Sequence, residues 1–256
     1  KMRKKTRKPL DRIELNVDSM AFLGVGVAKI DGYVYFVSGA VPGDVVLAEI
    51  TKKKQSFSEA RVVEILKPSE KRIKPPCKHF GVCGGCSWQS LDYAEQMHWK
   101  AVHVADAIER IGKITTAEIL PALGSPKIFN YRNKMEFSFG YSRWLTSEEI
   151  SLADENLRRD FALGLHIPGR YDKILEIEHC MLQSETGNMI LKAVHDKTIE
   201  MGLTAYNSHS RSGFLRNLVI RSSVAFDEVM AVLVSSPPET PAEREFIDWL
   251  DRKSVV

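Results

Sequence analysis

A chain of 256 residues, 44% of them hydrophobic, has room for two domains with ordinary apolar cores. It holds no run of ~18 apolar residues and no apolar segment behind its basic start, so neither a helical membrane span nor a secretion signal is expected in it, and the cytoplasm is the expected compartment. The net charge of +3 conceals a basic beginning: Lys1, Arg3, Lys4, Lys5, Arg7, Lys8 and Arg12, then Lys52, Lys53 and Lys54, then Lys67, Lys71, Arg72, Lys74 and Lys78, a distribution that suits nucleic acid.

After a basic tail (1–12), residues 13–67 read as short strands: Ile13–Val17, Val25–Ile30, Tyr33–Val37, Val45–Thr51 and Ser58–Leu66. Asp31-Gly32 suits a tight hairpin and Pro42-Gly43 a turn. Strands at this spacing without helical periodicity predict a small barrel of the oligonucleotide-binding type, closed because so short a sheet has edges to hide. Gly24-Val25-Gly26 resembles part of a nucleotide-binding glycine loop, but a hairpin pattern follows where a helix is required, so these glycines are expected at turn or close-packing positions.

A linker and cysteine loop occupy 68–92. A helix is expected from about Leu91 to Ile111, capped by Ser90 and stopped by Gly112, with an apolar stripe at Ala94, Met97, Ala101, Val104, Ile108 and Ile111. From 126 to 236 the pattern predicts a mixed, mainly antiparallel central domain. Tyr131, Met135, Phe137, Phe139 and Tyr141 share one strand face, with Asn133 among them, and Arg132, Lys134, Glu136 and Ser138 lie on the other. Residues 142–160 read as a loop or hairpin excursion, Ser184 begins a helix ending near Met201, and strands follow at about Phe214–Ser222 and Glu228–Ser235. A proline-rich linker and a helix at about Ala242–Lys253 fill 237–256. The fold class is α+β, multi-domain.

The four cysteines are Cys77, Cys83 and Cys86, spaced C-x5-C-x2-C, and the distant Cys180. Disulfides belong mostly to small secreted proteins, and zinc ribbons usually bring paired knuckles. Ligands drawn from separate segments with irregular spacing suit an iron–sulfur cubane best, and Gly81, Gly84 and Gly85 would let backbone N–H groups approach its sulfur atoms. A radical cluster with three cysteine ligands lacks its usual spacing here. Zinc and disulfides remain alternatives on spacing alone.

At these residues the chain resembles a known family, the RNA uracil-C5 methyltransferases that carry a TRAM domain and a [4Fe–4S] cluster. GVGVAKIDGYVYFVSGAVPGDVV and EARVVEIL look like the TRAM barrel, CKHFGVCGGCSWQSLDYAEQMHWK like the cluster loop, and YRNKMEFSF, LGLHIPGRYDKILEIEHCMLQ and LRNLVIR like the central domain. The resemblance implies a cluster held by Cys77, Cys83, Cys86 and Cys180, an RNA partner of the 23S ribosomal branch, and S-adenosylmethionine as methyl donor in the full-length protein. It also implies that 93–125 packs on a catalytic domain and that 237–256 begins one. Candidate RNA contacts are Lys52, Lys53, Lys54, Arg72, Lys74, Arg132 and Lys134. Uracil C5 becomes nucleophilic only after a thiolate adds to C6. With all four cysteines given to the cluster, the expectation is a recognition half that is inactive alone. The rival expectations are a non-enzymatic RNA-binding protein with a structural zinc or iron–sulfur site, and an electron-transfer protein.

Overall fold

The computed structural model describes residues 11–152 and 157–253, so the basic tail from Lys1 to Lys8 lies outside the described residues. The chain divides into two compact units, Lys1–Lys78 with Cys86–Ser125 and His79–Gly85 with Pro126–Val256.

The first unit is built on β1 (Arg12–Asn16), β2 (Ser19–Ala21), β3 (Val25–Ile30), β4 (Tyr33–Ser38), β5 (Val45–Lys53) and β6 (Phe57–Lys67). The sheet order is β1-β5-β6-β4-β3-β2, antiparallel except for the β4–β6 pair. Its first and last members are consecutive in the chain, and the residues between them close the ring. The Val17 N–H donates to Asp44 O on one edge, and the Asp18 N–H to Val27 O on the other. The expected first strand is β1, and a seam after it leads into β2, which is not among the expected strands, so that the barrel hides its edges. Leu15, Val17, Val37 and Val46 fill the core with the small Ala28, Ala40, Ala48 and Ala60. Gly26 is a close-packing position: a Cβ there would lie 2.9 Å from Val17 Cγ1.

Helix α1 (Tyr93–Asp106) begins two residues later than expected, because Asp92 rather than Ser90 accepts the Ala94 N–H, and it loosens into a π turn at Ala107–Ile111. Of the apolar stripe, expected to pack on a catalytic domain, Val104 and Ile111 are exposed. Trp99 and Trp88 instead pack against the buried Met20, Val41 and Leu91, which joins the helix to the barrel within this unit.

The second unit holds β7 (Lys134–Gly140), β8 (Arg143–Trp144), α2 (Ser147–Leu152), β9 (Ala162–Ile167), β10 (Arg170–Glu176), α3 (Glu185–Glu200), β11 (Leu215–Ser223), β12 (Glu228–Ser235) and α4 (Pro241–Lys253). Its order is β12-β11-β7-β9-β10-β8, with only β8–β10 parallel. Alternation puts Met135, Phe137 and Phe139 of β7 into the core as expected, but Tyr131 and Tyr141 fall outside the strand, and Tyr131 is exposed. Phe161, Leu163, Leu215, Leu218 and Ile220 join them. Helix α3 is capped by Ser184, which accepts the Gly187 N–H, and buries Leu191, Val194 and Thr198. Helix α4, expected as the start of a further domain, lies in this unit, and its Phe246 is fully buried. The excursion at 142–160 contains a short helix rather than loop alone. No helix among the described residues is long and apolar enough to cross a membrane.

Candidate nucleic-acid site and cysteine loop

In the second unit the segment that carries Arg132 and enters β7 at Lys134 meets the β9–β10 turn. A cleft of about 660 Å³ opens there, lined by Arg132, Lys134, Glu136, His166 and Pro168, with Gly84 and Gly85 of the cysteine loop. The loop reaches this place because His79–Cys83 folds as a tight turn: Gly81 takes φ +86° and the Cys83 N–H returns to His79 O at 2.8 Å. The chain then passes so close to β9 that a Cβ on Gly84 would lie 3.3 Å from His166 O. The Gly85 N–H donates to Cys83 Sγ at 3.3 Å.

The charge of the cleft is basic but partly balanced. Lys134 Nζ lies 2.9 Å from Glu136 Oε2, an exposed pair of small worth. Arg170, just past the turn, is held by Asp172 in a two-pronged contact with both distances 2.9 Å. The guanidinium pulls the Asp172 carboxyl down to about 2. The His166 ring is 3.2 Å from Ser138 Oγ, which also accepts from Asn217 Nδ2.

Cys180 is buried, and Asn188 of α3 fixes it: Asn188 Oδ1 accepts the Cys180 N–H at 2.9 Å and its Nδ2 donates to Cys180 O at 3.3 Å. The next residues pair with the approach to β7, the Asn130 and Arg132 N–H groups donating to Met181 O and Leu182 O.

In the first unit, the arms leading to Cys77 and from Cys86 are zipped together. The Ile73 N–H donates to Ser90 O, the Asp92 N–H to Lys71 O, and the Cys77 N–H to Gln89 Oε1. The four cysteines are thiols, not disulfides. Among the described residues no three His, Cys, Asp or Glu are arranged to hold a metal ion. In donor chemistry the residues fit a cluster: four thiols, one already accepting a backbone N–H from a glycine, and one locked at both backbone groups.

Of the lysines expected at RNA, Lys53, Lys54 and Lys74 are exposed, and Lys52 pairs with Glu59 at 3.0 Å. Arg72 is corrected. Its Nη2 sits 2.6 Å from the fully buried Asp44 carboxylate and donates to Gly39 O, so it pins the linker to the barrel. Burial would raise the Asp44 pKa, but the bonds from Arg72 and from the Val41 and Ser69 amides outweigh it and hold the carboxyl below its ordinary value. Asp44 and Asn188 escape sequence reading because their partners are distant or unmarked. The contact of Gly84 with the β9–β10 turn escapes it for the same reason.

The TRAM domain model matches residues 11–63. An uncharacterized RNA methyltransferase of Bacteroides thetaiotaomicron is 45% identical over 215 residues, 84% of this chain and 47% of that protein. Another, from Chlorobaculum tepidum, is 39% identical over 80% of this chain and 43% of its own length. The chain resembles the TRAM-containing RNA uracil methyltransferases. The Pyrococcus abyssi tRNA (uracil-54, C5)-methyltransferase, solved with S-adenosyl-L-homocysteine, shares the fold with a TM-score of 0.60 over 91% of this chain and 48% of that one, at 22% identity.

This TRAM chain spans about half the length of the curated relatives it matches. The expectation of a chain inactive alone is corrected by the same coverage. Proteins named RNA methyltransferases match 84% and 80% of it, so most of this chain has a counterpart in them, and where it stops is no measure of activity.

Proposed function

We propose that this chain serves an S-adenosylmethionine-dependent RNA uracil-C5 methyltransferase acting on ribosomal RNA in the cytoplasm, and that its part is to grip and orient the RNA. The cleft carries the reading: Arg132 and Lys134 stand with the two glycines of the cysteine loop around one opening. Arginine and lysine side chains there would take phosphate oxygens, and Lys53, Lys54 and Lys74 would extend the grip along the barrel unit. Identity to proteins named RNA methyltransferases supports the reaction class, and the Pyrococcus structure supports uracil C5 and the methyl donor. No residue of this chain is assigned to the donor.

Cys77, Cys83, Cys86 and Cys180 would hold a [4Fe–4S] cluster. When bound, the cluster supplies a cross-link rather than a reacting centre. The chain's own share is to present the thiols: Asn188 holds Cys180 in one orientation, Gln89 steadies the Cys77 amide, and the Gly85 N–H stabilises a thiolate on Cys83.

Titrating a uridine-rich ribosomal RNA fragment over a salt series tests the function. The expected result is tight binding at low salt with a steep slope of log K against log salt, and no binding at ~50 mM salt would overturn it. Iron, acid-labile sulfide and absorbance near ~400 nm test the cluster. One tightly bound zinc without sulfide would replace it with the structural-zinc reading.

A further inference from the structure

The turn joining β2 to β3 holds its two largest side chains in water, Phe22 at 71% and Leu23 at 79% exposure. Single exposed apolar residues are ordinary, but this backbone is not. Leu23 lies at φ 67°, in the left-handed region. A bulky side chain there is an outlier, where glycine or asparagine would sit with less strain. Gly24 follows at φ +74°, and a Cβ on it would lie 2.6 Å from Ser87 O, so the turn is wedged against the chain after Cys86.

The other side is also braced. The Phe22 ring stacks on His103 of α1, centroids 4.8 Å apart and planes within 20°. His103 Nε2 is 2.6 Å from Met20 O. A carbonyl only accepts, so Nε2 carries the hydrogen, and the bond fixes the ring. Trp88 meets the same imidazole edge-on, and Met20 at the root of the turn is buried with Val41 and Leu91. One face of Phe22 is therefore seated, the other is open, and Leu23 stands beside it. Lys100, three residues before His103 on the same helix, is exposed and adds positive charge to this side of the helix.

We propose that Phe22 and Leu23 form a stacking platform for an unpaired nucleobase of single-stranded RNA. This rests on the RNA-binding reading above. Every base has a π face, so an aromatic shelf takes bases with little regard to sequence. A ring already fixed on His103 loses little freedom when a base lands on it. The strain at Leu23 keeps the two side chains out of the core, the arrangement expected where backbone strain serves a binding surface.

The test is fluorescence anisotropy of a labelled uridine-rich single-stranded RNA with the whole chain, over a salt series. Phe22→Ala is expected to weaken binding about tenfold at every salt concentration, leaving the slope against log salt unchanged, because stacking releases no counterions. Phe22→Trp should restore affinity. Leu23→Gly should weaken binding less. Since Phe22 is exposed, the melting temperature of Phe22→Ala should match wild type. Phe22→Ala binding RNA as wild type does would overturn the platform and leave the turn to a protein partner, while the broader reading stands. Wild-type chain that binds no RNA at low salt would overturn both.

Discussion

The barrel and the central sheet each have six strands, yet they are held together differently. The barrel closes on itself around alanines and valines, and it encloses the Asp44 carboxylate, clamped by Arg72. The central sheet stays open and fills its core with Phe137, Phe161, Phe214 and Phe246. Its polar anchor is looser: Glu176 lies between Arg143 and His195, at 3.6 and 3.5 Å. A small closed core leans on one charged pin, whereas a large aromatic core does not. The pins also titrate in opposite directions.

The largest expected effect is on the aromatic core. Phe137→Ala should cost about 4 kcal/mol, read as faster amide exchange in β7, β9 and β11. An equal loss of protection in β5 and β6 would break the contrast. Next is the barrel pin. Asp44→Ala leaves the half-buried Arg72 guanidinium without its carboxylate and strands the Val41 and Ser69 amides, and should cost about 3 kcal/mol. Because the folded pKa of Asp44 is lowered, the pin's contribution is full above the unfolded value of ~3.9 and is lost as pH falls through the folded pKa. Protection of the barrel amides, taken relative to the intrinsic exchange rate at each pH, should therefore fall in acid, and in Asp44→Asn it should be low already at neutral pH.

Asn188→Ala removes both bonds to the Cys180 backbone and should cost about 2 kcal/mol, visible as lost protection at the Cys180 amide. For RNA, Lys53→Ala with Lys54→Ala should lower the salt slope by about 2. The matched pair Arg132→Ala and Lys134→Ala shows whether the cleft or the barrel takes more phosphates. The smallest effect is at His195. The bond to Glu176 raises its pKa, burial opposes, and Asp196 adds to the rise. A raised histidine stabilises fully below the unfolded value of ~6.5 and loses this as pH rises through the folded pKa. His195→Gln should therefore flatten a slight loss of stability, less than ~1 kcal/mol, between neutral and alkaline pH. A loss that persists in His195→Gln would assign it elsewhere.

The strands were legible where alternation and turn chemistry agree, as in Tyr33–Ser38 after Asp31-Gly32 and in Lys134–Gly140. The seam at Val17-Asp18 was not, because a strand that changes partners leaves no break in hydrophobicity. The helix at Ser147–Leu152 carried a readable signal: the Glu149 N–H donates to Thr146 Oγ1 and the Thr146 N–H to Glu149 Oε2, a capping box. In the site, Lys134 could be read from the polar face of its strand, whereas Arg132 lies just ahead of it. That Gly84 and Gly85 lie beside them could not, since the contact joins segments far apart in sequence. Arg72 was misread because a charge run looks alike whether it faces water or a buried carboxylate 28 positions away.

The seam has a consequence for what lengths the barrel tolerates. Its residues bond to Asp44 on one flank and Val27 on the other, so the two half-strands are locked in phase like teeth on one gear. One residue inserted at Val17-Asp18 would turn Met20 outward and Ser19 inward, because a strand reverses its faces with every step. The same insertion at Asp31-Gly32 would only enlarge a hairpin loop. Natural length variation in barrels of this build belongs in the hairpins, and the seam is where none can be accommodated.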